Sequence, residues 1–577
     1  MILNARLYLF PTLILGVRCQ QIYDIVSLFL SDSHVAFVER LGQWQTTWDR
    51  STLFTPLTRT TSTVINFAPG TSSSTAQINI AVDDTVEFQD IVGFGGSLTD
   101  SSALTLKNLK TANSGNYFNL INYMFNPTDG ANAAGLNYVR VPIGATDFSA
   151  SVYSLDDSNG DTSLAAFNIN RVPTYVFEVL KDIQSINPIL KVSGLTSLEE
   201  MQADHALLTR SSIMYTIIGT SGSLVTGCLS SLEPAWMKDS GTMTGGSIRA
   251  DMIKFYPTYL LKAVQGFQGK GIPVYAISIQ NEPQNSNPTY PTCTMTPDVE
   301  AQIGSTLRSL LNSNGLSGVR VIGYEHNWNN AGSYPVTLVR YGLVIPSGES
   351  IIYPVHKFVP QMQDASNAFA GVGFHCYEGQ VTNQDAFHNA FPSKEIYFTE
   401  CSGTLGSDWW SDIKWYIDNL WVGALEHNAR SGLMWNIALD GNGNPGLPGS
   451  NSCGGGCRGI VTISGGSYSL NQEFYSMAHA SKAILPKDPG GPFGKRVGVS
   501  VSGSLAWALR VGAYVTHRTN PSDWWRYSLV VLNWDDNISG KWSPTPVNAS
   551  ISFRGMQATY TFPVGVTTLW WYGPPTS

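Results

Sequence analysis

Two glutamates of this chain each come directly after an apolar, strand-like run. Glu282 follows Val274-Tyr-Ala-Ile-Ser-Ile-Gln-Asn, and Glu400 follows Glu395-Ile-Tyr-Phe-Thr. Two carboxyl groups that face one site are the minimum requirement for glycoside hydrolysis, in which one protonates the leaving oxygen and the other attacks the anomeric carbon. The acid must stay protonated near the working pH, so we expect burial and the neighbouring carboxylate to raise its pKa. A single glutamate after a strand is more often a helix-start or ion-pair residue, and only the pair favours catalysis.

These glutamates can meet only if their strands end at the same edge of one sheet. From about residue 89 to 483, short β-branched runs alternate with helix-like segments such as 251–267 and 298–311, which is typical of parallel βα units. Eight such units favour a closed barrel, and in barrel enzymes the reactive side chains lie where the strands end. The predicted strands are 90–95, 138–143, 190–192, 274–280, 319–324, 371–376, 396–399 and 433–438.

The pattern of apolar and turn residues changes after Pro486. Short alternating runs separated by Gly and Ser turns predict an antiparallel β domain with strands at 496–501, 505–511, 527–533, 549–553 and 568–571. The predicted fold class is therefore α/β, a (β/α)8 TIM barrel with an appended antiparallel β-sandwich. The predicted domains are a signal peptide (1–19), a partly irregular leader (20–62), N-terminal strands that join the sandwich (63–88), the catalytic barrel (89–483) and the C-terminal sandwich (484–577).

The amino-terminal residues are typical of a secreted protein. Arg6 precedes an apolar stretch over 7–17 that is too short to cross a bilayer, and no later segment predicts a membrane span. Cys453 and Cys457 could close a small disulfide loop, and a metal site is less favoured because no second cysteine or histidine pair accompanies them. Two sequons, at Asn537 and Asn548, fit the same compartment. We expect an extracellular protein, and cell-wall association stays open.

The composition excludes several classes of function. The 34 basic and 42 acidic residues give a net charge of −8, and without a dense basic run nucleic-acid binding has no electrostatic source. The 16 tryptophans and 25 tyrosines suit the flat faces of sugar rings, although most aromatic residues should pack in the core. No H-E-x-x-H and no G-x-S-x-G occurs, which argues against a zinc protease and an α/β-hydrolase. We expect a carbohydrate partner, no metal and no cofactor, with the oligomeric state open.

Six stretches in order along the chain carry a more specific signal. They are 93–104 (GFGGSLTDSSAL), 138–148 (YVRVPIGATDF), 276–283 (AISIQNEP), 374–377 (FHCY), 397–403 (YFTECSG) and 434–439 (MWNIAL). Together the chain resembles glycoside hydrolase family 30, a retaining β-glycosidase family that includes acid glucosylceramidases and fungal endo-β-1,6-glucanases. The resemblance covers about residues 60 to 577 and implies a barrel with a β-sandwich built from the C-terminal strands plus one or two N-terminal ones.

The resemblance also implies roles for single residues near the reacting bond. Glu282 corresponds to the acid/base and Glu400 to the nucleophile. Asn281 would hydrogen-bond the sugar 2-hydroxyl, a contact that strengthens in the transition state. Asp147 matches a carboxylate that binds the outer hydroxyls of the −1 sugar. Arg140 resembles an arginine beside the nucleophile that would keep Glu400 ionised.

Four further residues are implied as substrate-binding. His375 and Tyr377 end the sixth strand, and the tyrosine is expected to hydrogen-bond the nucleophile. Trp435 and Trp236 resemble aromatic residues that stack on the substrate. Each of three candidates has a plainer alternative: Arg140 as a structural ion pair, His375 as a core histidine and Trp236 as a packing residue.

Three segments depart from the family pattern: 26–43, 193–233 and 341–360. The second cuts the third predicted strand short, and a barrel cannot leave a gap in its hydrogen-bond ring cheaply. Residues 213–218 are the nearby run that we expect to replace it. These segments are either genuine insertions or translated non-coding sequence. Whether this exact chain is active depends on which of these two origins is correct.

The sequence therefore predicts a secreted retaining β-glycoside hydrolase, with endo-β-1,6-glucanase favoured. The loop from Cys453 to Gly459 and the stretch 442–448 resemble the fungal glucanase branch. Glucosylceramidase is the alternative, since both branches share the core motifs. A carbohydrate-binding homologue that has lost turnover through the disrupted third strand is the second alternative.

Overall fold

The computed structural model describes residues 42–56, 67–69, 76–188, 225–227, 233–341, 365–537 and 540–576. The expected signal peptide, the predicted third strand at 190–192, its alternative at 213–218 and nearly all of the three departing segments lie outside these residues. Within the described ranges, none of the helices has both the length and the hydropathy needed to cross a bilayer.

Eight parallel strands close into a barrel, which confirms the predicted fold class. The side chains of seven strands are mostly buried, because the barrel interior covers one face and the surrounding helices cover the other. Successive strands along the chain are neighbours, and strand eight pairs with strand one. Barrel strands one to eight are Gly93–Ser97, Tyr138–Arg140, Val225–Gly227, Val274–Ser278, Arg320–Asn327, Gly371–His375, Glu395–Glu400 and Ala429–Met434.

The third barrel strand differs from the prediction. Val225 pairs with Val139 of strand two and with Val274 of strand four, so Val225–Gly227 fills the position between them. This strand lies inside the segment 193–233 that departs from the family pattern, and its three residues are too short a run to stand out in the sequence. The hydrogen-bond ring is therefore complete.

The eighth barrel strand begins four residues before its predicted start. It runs over Ala429–Met434, where the sequence favoured 433–438. Arg430 interrupts the apolar run and obscured this start, but in the fold it forms an ion pair with Glu395 of strand seven. The predicted end of the strand is instead the loop that carries Trp435.

Helices surround the barrel and begin with favourable residues. Pro257 and Pro297 occupy first turns, where a missing backbone N–H costs nothing. The predicted helices 251–267 and 298–311 correspond to the fourth and fifth below. The α-helices are Asp100–Ala112, Ser114–Phe125, Thr174–Ile186, Tyr256–Gly269, Pro297–Ser313, Tyr334–Arg340, Ala365–Ala368, Gln384–Ala390, Trp409–Tyr416, Gly423–Glu426 and Gln472–Ile484.

The second structural unit is a ten-stranded, mostly antiparallel sheet. Phe553 and Trp571 lie on strands that four others separate in the sheet order, yet their ring centroids are 5.4 Å apart. The sheet therefore folds over into two layers, as predicted for a sandwich. In sheet order its strands are Thr55–Pro56, Gly42–Thr47, Gly565–Gly573, Trp525–Asn533, Leu509–Thr516, Lys495–Gly503, Ile78–Asp90, Val547–Phe553, Met556–Phe562 and Ala68–Pro69.

Three strands of this sheet were absent from the sequence prediction: Gly42–Thr47, Thr55–Pro56 and Met556–Phe562. Gly42–Thr47, in the expected leader, pairs along its whole length with Gly565–Gly573. Met556–Phe562 pairs with Val547–Phe553, and its alternation of exposed polar residues hid it. Short strands near the barrel mouth form two small sheets: Gly403–Thr404 with Cys457–Arg458, and Ala438–Leu439 with Val461–Ser464 and Ser467–Leu470.

Candidate active site

A cleft of about 760 Å³ opens where the barrel strands end. Its volume is within the roughly 300–1,000 Å³ of small-molecule sites. Six of the nine predicted site residues line it: Asp147, Asn281, Glu282, Tyr377, Glu400 and Trp435. The other three, Arg140, His375 and Trp236, are buried and do not line it.

Glu282 is held at the end of barrel strand four by contacts on several sides. Its backbone N–H donates to the carbonyl oxygen of Glu325 at 2.9 Å. Asn285 Nδ2 donates to Glu282 Oε2 at 2.8 Å, and His375 Nδ1 lies 3.0 Å from Oε1. The φ of +49° places Glu282 in the left-handed region, which costs on the order of 1–3 kcal/mol and persists where the surrounding structure enforces it.

Glu400 ends barrel strand seven and is bound by two predicted partners. The phenol of Tyr377 donates to Glu400 Oε1 at 2.9 Å. The Arg140 guanidinium, fully buried, forms an ion pair with Oε2 through Nη1 and donates to Asn281 Oδ1 at 2.6 Å through Nη2. Arg140 was expected to be substrate-binding, but its burial means that it acts through Glu400 and Asn281. It also lies 5.2 Å from the centroid of the Trp435 ring.

One imidazole sets an upper limit on the separation of the two carboxylates. His375 Nδ1 lies 3.0 Å from Glu282 Oε1 and 3.8 Å from Glu400 Oε1. The two oxygens can be no farther apart than the sum of these distances. That limit includes the roughly 5–5.5 Å of retaining glycosidases and only the lowest part of the range of about 6.5–9.5 Å seen in inverting ones.

His375 is a second cation of this cluster, beside Arg140. Burial alone would lower its pKa, but the charge of Glu400 and hydrogen bonds to Glu282 and Glu325 outweigh burial and raise the pKa of His375 to about 9. For Glu282, burial favours the neutral form, yet the hydrogen bond and charge of His375 prevail and lower its pKa to about 2. The expectation that the pKa of Glu282 is raised is therefore wrong for the free protein, because a cation lies between the carboxylates.

Asp147 faces the cleft beside Trp435. Trp435 Nε1 donates to Asp147 Oδ2 at 3.4 Å, and Ser452 Oγ donates to the same oxygen. Burial, with a smaller contribution from the charge of Glu400, raises the pKa of Asp147 to about 7. This carboxyl group can thus accept or donate hydrogen bonds to sugar hydroxyls near neutral pH.

Two predicted substrate contacts need correction. His375 has no exposed surface, since it lies between Glu282 and Glu325, so it cannot touch a sugar. Trp236 is in the core, where its Nε1 donates to the carbonyl oxygen of Asp156 at 3.1 Å. This position favours the packing alternative for Trp236.

Glu325 is a third carboxylate that the sequence reasoning missed. It is fully buried, accepts a hydrogen bond from Thr399 Oγ1 at 2.8 Å and lies 3.7 Å from Arg140 Nη2. The signal was present, because Glu325 directly follows the predicted strand 319–324, as Glu282 and Glu400 follow theirs. By contrast, Asn285 and Ser452 lie in loops whose sequences carry no such pattern.

One group of side chains in the described ranges has the spacing of a metal site: Glu282, His326 and His375. Both ring nitrogens of His375 face carboxylates, which favours the doubly protonated ring, and that form has no lone pair for a metal. Burial lowers the pKa of His326 to about 4. His326 is therefore neutral near pH 7 and keeps a lone pair, so it is the protonated ring of His375 that makes the cluster fit a proton-holding role better than a metal site.

Two disulfides stabilise the rim of the cleft. Cys376–Cys401 joins the residues that follow barrel strands six and seven, next to Tyr377 and Glu400. Cys453–Cys457 closes a loop that lines the cleft, as the sequence suggested. Cys293 is a buried free thiol.

Comparisons with known proteins bear on the family and the fold of this chain. Residues 91–194 match the family model described as the glycosyl hydrolase family 30 TIM-barrel domain. An endo-1,6-β-D-glucanase of Neurospora crassa is 29% identical over 468 residues, covering 77% of this chain and 79% of its own. Putative glucosylceramidase 4 of Caenorhabditis elegans is 26% identical over 65% of this chain and 64% of its own. A solved endo-β1,6-glucanase superposes with a TM-score of 0.69 at 21% identity, over 92% of this chain and 99% of that one. The resemblance to glycoside hydrolase family 30 is confirmed.

Proposed function

We propose that this glycoside hydrolase is a retaining endo-β-1,6-glucanase that uses Glu400 as nucleophile and Glu282 as acid/base. The observation that carries the proposal is the arrangement of both carboxylates around one buried imidazole at 3.0 and 3.8 Å. Both glutamates line the same cleft, so both carboxylates can reach one glycosidic bond.

In the first step, a Glu400 oxygen attacks the anomeric carbon and the bond to the leaving sugar breaks. Glu282 gives its proton to the leaving oxygen, which departs as an alcohol. Because the free protein holds this proton on His375, it must cross the 3.0 Å hydrogen bond to Glu282 during this step. Formation of the ester removes the charge of Glu400, which is what raises the pKa of His375, and so favours that transfer.

In the second step, water attacks the same carbon and the ester bond to Glu400 breaks. Glu282 accepts the proton of the water, and the sugar leaves with its original configuration. The restored charge of Glu400 draws the proton back to His375. Tyr377 and Arg140 hold Glu400 in place throughout, since each contacts a different oxygen.

The chemistry of the cleft favours a glucan over a glycolipid. Beyond Trp435 and Tyr290, its walls carry many amide side chains, which suit sugar hydroxyls and not the apolar chains of a ceramide. These are Asn281, Gln284, Asn285, Asn287, Asn327, Asn329, Asn330 and Asn451. The fungal relative, named an endo-1,6-glucanase, is also more similar over more of the chain than the nematode glucosylceramidase.

The structure weakens the case for a homologue without turnover. That alternative rested on a broken third strand, and Val225–Gly227 occupies its place. We further infer an extracellular location, supported by the two disulfides, which persist in oxidising compartments. Cell-wall association follows only if the glucan itself is a wall polymer.

Product analysis tests the assignment. The purified chain is incubated with pustulan, laminarin and glucosylceramide, and Glu400→Gln serves as the matched inactive control. We expect a ladder of β-1,6-linked oligosaccharides from pustulan only. Cleavage of glucosylceramide alone would replace the proposal with the glucosylceramidase, and sugar binding without products would favour the inactive homologue.

A further inference from the structure

Seven of the sixteen tryptophans line two clefts on one face of the molecule, three in one and four in the other. We propose that this tryptophan face is a second carbohydrate-binding site, which holds a β-glucan chain outside the catalytic cleft. The choice of glucan rests on the proposed function. Among the described residues, neither cleft shares a lining residue with the catalytic one.

The first cleft of the tryptophan face has a volume of about 540 Å³ and is lined by Trp415, Trp507 and Trp534. Trp415 is 40% exposed and Trp507 54% exposed, which is unusual for side chains of this size. Trp534 Nε1 donates to the carbonyl oxygen of Trp507 at 2.6 Å, which fixes the backbone below the exposed ring. The rings are therefore presented on an ordered surface.

The second cleft is lined by Trp48, Trp542 and the adjacent Trp409 and Trp410, and Trp542 is 52% exposed. Trp48 packs edge-on against Trp542 with centroids 4.8 Å apart, which orients the exposed indole. Ser411 and Lys414 line both clefts, so the two adjoin along the helix Trp409–Tyr416.

The polar groups between these rings match an oligosaccharide. Asp418 and Asn419 line the first cleft, and Asp49 and Asp408 line the second, so hydroxyl acceptors stand beside flat apolar faces. Sugar rings offer the complementary pattern, with apolar C–H faces and hydroxyls at the edge. The three exposed tryptophans of the described ranges all belong to this face, although random surface exposure would scatter them.

A membrane surface fits the same face less well. Anionic headgroups attract clusters of free cations. Of the two cations that line the clefts, Lys414 forms an ion pair with Asp536 at 2.7 Å and Arg50 stacks over Trp409 at 4.6 Å. Three aspartates, Asp49, Asp408 and Asp418, also line the clefts, and Asp418 forms an ion pair with Arg510 at 2.7 Å. The lining that the structure describes is thus aromatic and polar, without a cluster of free cations.

Affinity electrophoresis through gels containing pustulan tests the site. Glu400→Gln is the background, so that the polymer is not digested, and Trp507→Ala and Trp542→Ala are added singly and together. Phe118→Ala, another exposed aromatic at 39%, is the matched control. Loss of each ring should weaken retardation by about three- to tenfold, the size of one aromatic contact. In the active chain the same substitutions should leave kcat/KM for short β-1,6-oligosaccharides unchanged.

Each outcome separates this site from the catalytic proposal. Equal retardation of the tryptophan variants and the control would overturn the tryptophan face, as would binding to phosphatidylcholine–phosphatidylserine vesicles in place of the glucan. If the tryptophan substitutions abolish retardation but the chain with Glu400 intact does not hydrolyse pustulan, the tryptophan face is supported and only the proposed function is overturned. Unchanged melting temperatures establish that the variants are folded.

Discussion

The buried imidazole of His375 faces Glu282 with 3.0 Å between Nδ1 and Oε1. Its other nitrogen lies 3.4 Å from Glu325 Oε2, so the ring is enclosed by carboxylates and never reaches the cleft. A residue in this position can act on the substrate only through Glu282, and we therefore regard His375 as a positioning residue that stores the catalytic proton.

Replacing His375 with glutamine should lower kcat by about 100-fold or more, since general-acid catalysis typically contributes about 10²- to 10⁴-fold. KM should change little, since His375 does not touch the substrate. Without the cation, burial should raise the pKa of Glu282, so the alkaline limb of the pH profile should move to lower pH. An unchanged profile with reduced kcat would show that His375 has only a structural role.

The same cation makes folding stability depend on pH. The pKa of His375 is raised above its unfolded value, so its stabilisation is complete below about pH 6.5 and disappears as the pH rises through about 9. The melting temperature should therefore fall between pH 7 and 9, and the fall should be smaller in His375→Gln. Calorimetry measures these melting temperatures. An equal fall in the wild type and in His375→Gln would contradict the assignment of a positive charge to His375.

Arg140 should be essential for both activity and stability. Its removal takes away one of the two cations, Arg140 and His375, that face the buried Glu400 and Glu325, and breaking a buried ion pair typically costs about 3–5 kcal/mol. Arg140→Met should thus unfold at markedly lower denaturant and lose kcat/KM by at least about 100-fold. Arg140→Lys keeps the charge but cannot contact Glu400 and Asn281 together. Its stability and its kcat/KM should lie between those of the wild type and of Arg140→Met. Wild-type stability of Arg140→Met would contradict this account.

Asp147 should show a trade-off between stability and binding. The pKa of Asp147 is raised to about 7 in the folded protein. Between about pH 4 and 7 this carboxyl group therefore ionises in the unfolded chain but not in the folded one, and the free energy of unfolding falls as the pH rises. Asp147→Asn should therefore raise the melting temperature at pH 7 and lose this advantage near pH 4. The same variant should lower kcat/KM by about 10- to 100-fold, because an amide cannot accept as many sugar hydroxyls. Equal melting temperatures at pH 7 would argue against a buried carboxyl group.

Azide should distinguish the two glutamates. On an aryl β-gentiobioside, Glu400→Ala should lose about 10⁴-fold or more in turnover and recover part of it with azide, forming the α-glycosyl azide. Glu282→Ala should give the β-glycosyl azide, because its nucleophile is intact. The two anomers are separated by proton NMR. Identical products from both variants would show that the roles are misassigned.

The site residues that could be predicted from sequence are those whose position follows directly from the end of a recognisable strand. Glu282 and Glu400 come at strand ends, and parallel strands bring their ends together, so the pair could be predicted from sequence before any contact was known. Glu325 obeys the same rule and was overlooked. The burial of His375 and Trp236 depends on tertiary packing, for which a single sequence has no local signal.

The fold follows the same division. Long apolar runs in the barrel and in the C-terminal sheet are found within a few residues, because burial on both faces or one face leaves a clear pattern. Val225–Gly227 is too short to have a pattern of its own, and its pairing with strands two and four defines it. Gly42–Thr47 likewise becomes a strand by adding to Gly565–Gly573.

Covalent trapping of the glycosyl-enzyme tests the central claim most directly. The chain is incubated with 2-deoxy-2-fluoro-β-gentiobiosyl fluoride, and the labelled peptide is identified by mass spectrometry, with Glu400→Gln as the unlabelled control. We expect one sugar adduct per chain, attached to Glu400. A stoichiometric adduct on another carboxylate such as Glu325, or normal turnover with inverted products and no adduct, would contradict it.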